Sequence, residues 1–224
     1  MKRLIGSGIL FFYMFTTFPQ SGNSFSCGSI LTDARDGKTY PTIMIGTQCW
    51  MGRNLDIGKP LEPKASPANK SIIEKYCYND QLANCDLYGG LYTWDVIMQY
   101  SVKENARGIC PEGWHVPSES DWTLLNNALG KDVAGGSMKE QGTKHWLAPN
   151  TGATNTSGFM ALPAGFRLYS NATYKQLGSE TNFWSSTPNS TTTVVIFNID
   201  GSDVTLVKGY DDKRYAYSVR CIKN

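Results

Sequence analysis

Histidine is scarce in this sequence, and no long run of a single charge occurs. The 224 residues include only two histidines, His115 and His145, which leaves few imidazoles for a histidine-rich metal centre. The 21 basic and 19 acidic residues nearly balance, giving a net charge of +2. Because nucleic-acid-binding surfaces are strongly basic, no nucleic-acid partner is expected.

Short motifs of hydrolases and metal sites are also absent. The sequence contains no Gly-x-Ser-x-Gly, no His-Glu-x-x-His, no Cys-x-x-Cys and no EF-hand loop. Two loops, residues 79–86 and 148–158, are rich in oxygen atoms of the kind that bind calcium. Ordinary turns produce the same composition more often, so a structural calcium ion is the less favoured interpretation. We expect no catalytic residues, no metal ligands and no cofactor.

The N-terminal segment has the pattern of an export signal. Lys2 and Arg3 precede an apolar stretch at residues 4–18, and small polar residues follow it. The apolar stretch is short for a membrane span. We interpret residues 1–26 as a signal peptide and residues 27–224 as one exported domain. A hydrophobic content of 41% is sufficient for a single core.

An even number of cysteines in an exported chain predicts a disulfide framework. The six are Cys27, Cys49, Cys77, Cys85, Cys110 and Cys221. Cys77 and Cys85 flank a turn-rich loop and are expected to pair locally, which would leave residue 110 with 221 and residue 27 with 49. Lipidation is the alternative for Cys27, because SFSC resembles a bacterial lipobox. Ser24 stands where a lipobox has a branched apolar residue, and the even cysteine count favours the disulfide.

Turn signals from 22 glycines and 10 prolines recur along the chain and predict short strands joined by loops. Residues 37–55 are expected to form two strands around a turn at Gly46. Helices are predicted near residues 93–102 and from Ser118 to a left-handed cap at Gly130. Four later segments are expected to be strands: NFWSST, TTVVIFNID, VTLVKGY and YAYSVRCIKN. The pattern predicts an α+β fold with two short helices and a twisted antiparallel sheet, stapled by disulfides.

The stretch CPEGWHVPSESDWTLL, residues 110–125, concentrates reactive side chains. One interpretation is a hydrolase site built from His115, Ser118 or Ser120, and Asp121. The other makes Ser118 a helix N-cap, Asp121 part of a capping box and His115 a packing residue with a backbone hydrogen bond. A catalytic serine usually sits on a strained turn, which nothing in this stretch indicates. The architectural interpretation is favoured.

Six blocks follow one another along the chain: IGTQCWMGRNLDIG, YCYNDQLANCDLYGGLYTWD, GICPEGWHVPSESDW, NTGATNTSGFMALPAGFR, FWSST and YSVRCIK. Together they closely resemble the Fibrobacter succinogenes major paralogous domain, a family of exported bacterial proteins. The resemblance extends from about residue 36 to the C-terminus, and several blocks in order are more specific than one motif. It implies a C-type lectin-like fold, in the version seen in formylglycine-generating enzymes. It also implies a protein that is secreted or held at the bacterial cell surface or outer membrane.

The implied fold hosts enzymes, sugar binders and adhesins, so it does not itself define an activity. Formylglycine-generating enzymes use a close pair of reactive cysteines near the end of the domain, whereas only Cys221 lies in the C-terminal half here. A disulfide-bonded Cys221 is not a nucleophile. We expect a non-catalytic binding module for a glycan or a surface protein. The alternatives are a structural component of the surface or an appendage, and an enzyme such as a hydrolase or thiol oxidase.

Aromatic and polar side chains that are expected to be exposed are the candidates for ligand binding. Trp146 lies in a polar loop and is the tryptophan best placed to stack on a sugar, although pinning of that loop is the competing interpretation. The other five tryptophans are assigned to the core. Related lectin-like folds imply a polar ligand surface within residues 187–217. The candidate binding residues are Trp146, Asn189, Thr191, Tyr210, Asp212 and Arg214. Contact with a membrane is expected only through a lipid anchor at Cys27.

Overall fold

The computed structural model describes residues 25–68 and 71–224, so nearly all of the predicted signal peptide, residues 1–26, lies outside the described residues. The strands are β1 (Ile30–Thr32), β2 (Thr39–Ile45), β3 (Gln48–Met51), β4 (Lys59–Pro60), β5 (Glu74–Lys75), β6 (Trp114–His115), β7 (Ala164–Arg167), β8 (Tyr174–Leu177), β9 (Glu180–Pro188), β10 (Thr193–Asp200), β11 (Val207–Asp212) and β12 (Ile222–Lys223). The helices are α1 (Leu82–Tyr88), α2 (Trp94–Ile97), α3 (Glu119–Leu129) and α4 (Ala134–Met138), and a 3-10 turn spans Tyr78–Asp80. The predicted α+β class is confirmed.

The first sheet combines strands from the beginning, middle and end of the chain, in the order β1-β2-β3-β12-β6. Strands β2 and β3 form the predicted hairpin, with Ile43 opposite Trp50. Its turn contains Gly46 at φ 58°, a conformation that glycine adopts without steric cost. The hairpin is therefore a local product of its sequence, whereas the β12 pairing joins residues far apart in the chain.

The second sheet is built late in the chain, in the order β11-β10-β9-β7-β8. Strands β9, β10 and β11 form a continuous antiparallel meander, as the sequence predicts. Strand β7 joins it in the parallel direction, with Gly165 opposite Thr181. The prediction of a single antiparallel sheet is therefore incomplete, because the described residues form two five-stranded sheets and one of them is mixed.

The predicted closing strand YAYSVRCIKN is regular only at its end, in β12. Its earlier residues make isolated bridges instead: Ala216 to Arg167, Tyr217 to Tyr92, and Ser218 to Phe183. The segment runs from one sheet to the other, so it never stays beside one neighbour long enough to form a ladder. This crossing holds both sheets to the middle of the chain.

Helix α3 begins as the sequence predicts. Ser118 Oγ accepts from the backbone N–H of Asp121, and the Asp121 side chain accepts from the backbone N–H of Ser118, which completes a capping box. The helix ends at Gly130 with φ 86° and ψ 110°, so the residue uses positive φ without forming the expected left-handed cap. Helix α2 is confirmed but covers only four residues.

Two of the four α-helices within the described residues, α1 and α4, have no counterpart in the sequence-based prediction. Gln81 precedes α1 without a side-chain capping hydrogen bond, so the usual start signal is missing. Helix α4 has the sequence AGGSM, whose glycines disfavour a helix. Both are short and are held by tertiary packing rather than by propensity.

The core is aromatic and is divided between two main clusters. All six tryptophans are buried: Trp50, Trp94, Trp114, Trp122, Trp146 and Trp184. The core assignment is therefore confirmed for five of them. In one cluster the Trp122 ring stacks on Phe197 at 5.2 Å and lies 4.7 Å from Trp50. Helix α3 is thereby fixed to both sheets.

Candidate functional site

The residues of the hypothetical hydrolase site lie together, but in an order that differs from a catalytic triad. Ser118 Oγ donates to Asp121 Oδ2 at 2.7 Å, and His115 Nε2 lies 3.5 Å from the same oxygen. The hydroxyl is thus bonded to the acid, whereas a triad needs it bonded to the imidazole. His115 Nδ1 lies 2.7 Å from Asn224 Oδ1, so side chains hold the ring, while the backbone of His115 pairs with Ile222 of β12.

The cysteines form three disulfides among the described residues: Cys27–Cys49, Cys77–Cys85 and Cys110–Cys221. No cysteine there is free. This is the pairing that the sequence favours. Because the Sγ of Cys27 is bonded to Cys49, it is not available for the thioether of a lipid anchor. Disulfides are consistent with an extracellular protein.

Trp146 is not a sugar-stacking platform. Only 1% of its surface is exposed, and its Nε1 donates to the Ala161 carbonyl at 2.9 Å. The Lys139 ammonium lies 5.5 Å from the ring centroid. Burying this large ring stabilises the fold more than exposure would, so it pins the loop to the core. The prediction of Trp146 as a ligand residue is wrong, and the competing interpretation is correct.

The predicted polar surface divides into separate places. Asn189 and Thr191 line a shallow depression of about 490 Å³. Arg214 lines a deeper cleft, and Lys213 lines both hollows. Tyr210 lines neither of them and lies 5.7 Å from the Lys208 ammonium. Residues of the predicted segment 187–217 therefore line two hollows, but Tyr210 lies outside both of them.

The deeper cleft has a volume of about 400 Å³, within the range of roughly 300–1,000 Å³ that small-ligand sites occupy. It is called the tyrosine–cation cleft here. The lining residues that define it are Tyr76, Asp95, Tyr100, Arg167, Tyr169, Lys213 and Arg214. Helix α2, strand β7 and the turn after β11 supply most of these side chains, so a helix, a strand and a turn position the cleft.

Arg167 forms a buried cationic wall of the cleft at the end of β7. Only 4% of its surface is exposed, and its guanidinium carbon lies 4.0 Å from the centroid of the Tyr76 ring. A second ring, Tyr174, lies 5.9 Å away. Within residues 25–68 and 71–224 it forms no ion pair. Burial raises the pKa of Tyr76 although the charge of Arg167 opposes this rise.

Two further cations stand beside Arg167 in fixed positions. The Lys213 ammonium donates to the Thr191 carbonyl at 3.0 Å and lies 4.5 Å from the Trp94 ring centroid. Arg214 donates to both carboxylate oxygens of Asp212, at 2.9 and 2.6 Å. These bonds lower the pKa of the Asp212 carboxyl. The turn 212–214 therefore presents one neutralised and one unpaired cation to the cleft.

Aromatic rings at the surface of the cleft come from two segments. Tyr169 lies under the Arg214 guanidinium at 4.0 Å. Tyr100 follows helix α2, and both Gln99 and Tyr100 have positive φ, 50° and 59°. Residues other than glycine adopt this backbone conformation at a cost of about 1–2 kcal/mol each. Such strain concentrates at functional sites, and here it places Tyr100 in the cleft.

Sequence reasoning missed Arg167, Tyr76, Asp95 and Tyr100. Arg167 ends the segment ALPAGFR, in which it is the single charge, and an arginine in an apolar strand is a signal of a special environment. Tyr100 was assigned to the predicted helix 93–102, which ends earlier. The closing segment brings the two segments together, because Ala216 bridges to Arg167 and Tyr217 bridges to Tyr92, and no local pattern indicates these pairings.

The described part of the chain offers no metal centre and no membrane-spanning helix. It contains no group of three or more His, Cys, Asp or Glu side chains placed to hold a metal ion. In the two oxygen-rich loops, Asp80 accepts from the Tyr174 hydroxyl, and Asn150 donates to the carbonyls of Glu140 and Gly142 while its buried Oδ1 has no hydrogen-bond partner. None of the described helices is both long and apolar enough to cross a membrane.

Comparison with known proteins gives one result. The family model of the Fibrobacter succinogenes major domain matches residues 43–223, close to the extent of the resemblance read from the sequence blocks. No curated protein and no solved structure matches the chain. Since the match covers most of the sequence, the chain belongs to the Fibrobacter succinogenes major domain family.

Proposed function

We propose that this protein is an exported, non-catalytic binding module whose tyrosine–cation cleft holds a saccharide. The observation that carries the proposal is the presence, in one cleft, of exposed tyrosine rings and charged hydrogen-bonding side chains. Tyr100 and Tyr169 expose 37% and 39% of their surfaces, and their flat rings suit the apolar face of a sugar. Asp95 offers acceptors, and Lys213 and Arg214 offer donors, to sugar hydroxyls.

The rigidity of these side chains supports binding. Arg214 is held by Asp212 and lies on Tyr169, and Lys213 is held by the Thr191 carbonyl. Side chains that are already ordered lose little entropy when a ligand arrives. The cleft would therefore receive a ligand without rearrangement.

The acid content of the cleft favours binding over hydrolysis. Among the described residues that line it, Asp95 is the only carboxylate. Glycoside hydrolysis typically uses two carboxyl groups on opposite sides of the bond. We therefore propose a module without covalent chemistry, and an enzyme remains the alternative that the experiment below tests.

The proposal includes the location of the protein. Three disulfides are typical of a protein in oxidising surroundings, which supports secretion or display on the bacterial surface. Residues 1–26 would act as the signal peptide and residues 27–224 as the binding domain. A C-type lectin-like relationship is part of the same proposal, because sugar binding is one use of that fold.

A glycan array probed with the oxidised protein tests the proposal. We expect binding to at least one saccharide class and a loss of about tenfold or more in affinity for Tyr169→Ala. Tyr210→Ala is the matched control, because Tyr210 is 54% exposed but lies outside the cleft. The proposal fails if no saccharide binds, if a surface protein is captured instead, or if both variants lose affinity equally. Release of sugar fragments during incubation would establish the enzyme alternative.

A further inference from the structure

We infer that the sugar held by the tyrosine–cation cleft carries a carboxylate, as a uronic acid does, and that Arg167 and Lys213 receive this group. The inference rests on the proposed function and specifies its ligand class. It comes from the charge balance of the cleft rather than from its shape.

Arg167 places a buried positive charge at the cleft. It is a charged side chain that is 4% exposed, it lines the cleft, and no carboxylate in the described chain forms an ion pair with it. Buried charges in proteins are normally paired, because an unpaired charge has lost its hydration without compensation. The nearby Tyr76 ring compensates only partly. A ligand anion is the partner that this position lacks.

The other charged side chains of the cleft leave an excess of positive charge. Arg214 is neutralised by Asp212, but Lys213 donates to a neutral carbonyl and forms no ion pair in the described part of the chain. Two cations, Arg167 and Lys213, therefore stand against the single carboxylate of Asp95. In a partly enclosed cleft this imbalance attracts an anion and disfavours a neutral ligand.

The chemistry of the lining selects a sugar carboxylate among anions. A guanidinium, the group that Arg167 carries, binds a carboxylate through two parallel hydrogen bonds. Tyr100 and Tyr169 provide flat apolar surfaces, which a pyranose ring uses and a bare inorganic anion does not. Asp95 repels a second negative charge but accepts from hydroxyls. One carboxylate on a hydroxyl-rich ring satisfies all of these groups.

Isothermal titration of the oxidised protein with three size-matched probes tests the inference: tetragalacturonate, its fully methyl-esterified form and neutral galactotetraose. The ester keeps the ring and removes the charge. We expect the acid to bind about tenfold or more tightly than the ester, a factor that one charge-assisted hydrogen bond supports. Added salt should bring the ratio of the two affinities, acid over ester, closer to one, because the attraction is electrostatic.

Two variants locate the effect. Arg167→Gln should abolish the preference for the acid over the ester. Since Arg167 is buried and its replacement risks unfolding, Lys213→Gln provides the second variant, and it should reduce the same ratio severalfold. Lys208→Gln is the matched control: it removes one positive charge from strand β11 outside the cleft, where Lys208 pairs with Glu119, and should keep the ratio.

The outcomes separate the inference from the function on which it rests. Equal binding of acid and ester, or a ratio that Lys213→Gln leaves unchanged, overturns the inference while saccharide binding stands. Stronger binding of a sulfated tetramer than of tetragalacturonate also overturns it, because a carboxylate is then not the selected group. If none of the probes and no array glycan binds, the proposed function itself fails.

Discussion

The guanidinium of Arg220 donates to Asn54 Oδ1 at 2.6 Å in the interior of the protein. The same side chain, 1% exposed, donates to the carbonyls of Met51 and Phe159 at 3.0 and 2.6 Å. Its carbon lies 4.1 Å from the centroid of the Phe159 ring. Burial lowers the pKa of Arg220, and neutral acceptors rather than a carboxylate hold its charge. The arginine of the YSVRC block thus joins the first sheet to the loop before β7.

Replacing Arg220 with lysine is expected to lower the free energy of unfolding by about 3 kcal/mol or more. One ammonium cannot reach acceptors that the planar guanidinium satisfies together, and the buried carbonyls are left without donors. Chemical denaturation measures the loss. Arg53→Lys is the control, because Arg53 is exposed, and its effect should stay within about 0.5 kcal/mol. Equal losses for the two variants would contradict a bridging role of Arg220.

Local signals in the sequence account for much of the fold. The β2–β3 turn at Gly46 and the capping box of Ser118 and Asp121 each depend on residues close together in the sequence, and both predictions are confirmed. Helices α1 and α4 lack such signals and form because neighbouring elements bury them. The parallel pairing of β7 with β9 and the bridges from these strands to Ala216 and Ser218 join segments that are separated in the chain, and hydrophobic periodicity does not encode such pairings.

The candidate site was less accessible to sequence reasoning than the fold. Polar residues within 187–217 do line concave surfaces, but Arg167 lies in a segment for which the sequence predicts no helix or strand, and Tyr100 lies in a predicted helix to which no function was assigned. Trp146, by contrast, was predicted to bind the ligand but is buried in the core. A tryptophan in a polar loop can face solvent or turn inward, and only the space under the loop decides between them.

The two buried disulfides that close loops of different size should differ in their contribution to stability. Cys110–Cys221 spans 111 residues and Cys77–Cys85 spans 8, so the chain-entropy relation gives about 5 and about 2.5 kcal/mol. All four sulfur-bearing side chains are buried, so replacing either pair with alanine costs comparable packing. We expect the 110/221 double variant to unfold at the lower denaturant concentration. A larger loss for the 77/85 variant would contradict this order.

Trp146→Phe separates a packing role from ligand contact. The variant keeps an aromatic ring but loses the hydrogen bond from Nε1 to the Ala161 carbonyl, for a cost of about 1–2 kcal/mol. Trp146→Ala should cost about 3–5 kcal/mol, because it opens a cavity in the core. Denaturation and glycan titration are measured on the same samples. A phenylalanine variant of preserved stability that no longer binds sugar would return Trp146 to the ligand site.

The pair formed by His115 and Asp121 should make stability depend on pH near neutrality. Burial alone would lower the pKa of His115, but its bonds to Asp121 and Asn224 raise it above the ordinary value of 6.5. A raised folded-state pKa means that the native protein holds this proton more tightly than the unfolded chain. The stabilisation is therefore complete below pH 6.5 and is lost as the pH rises through the folded-state pKa.

His115→Gln removes this contribution. Burial raises the pKa of Asp121, but its hydrogen bonds with His115 and Ser118 outweigh burial and lower it below 3.8, so Asp121 stays ionised and adds no slope near neutrality. Urea unfolding from about pH 5 to about pH 8 should show a decline in the wild-type protein that is absent or smaller in the variant. The other histidine, His145, is present in both proteins, so the difference between the two profiles isolates His115. Parallel profiles would show that the imidazole has the same pKa in the folded and unfolded states.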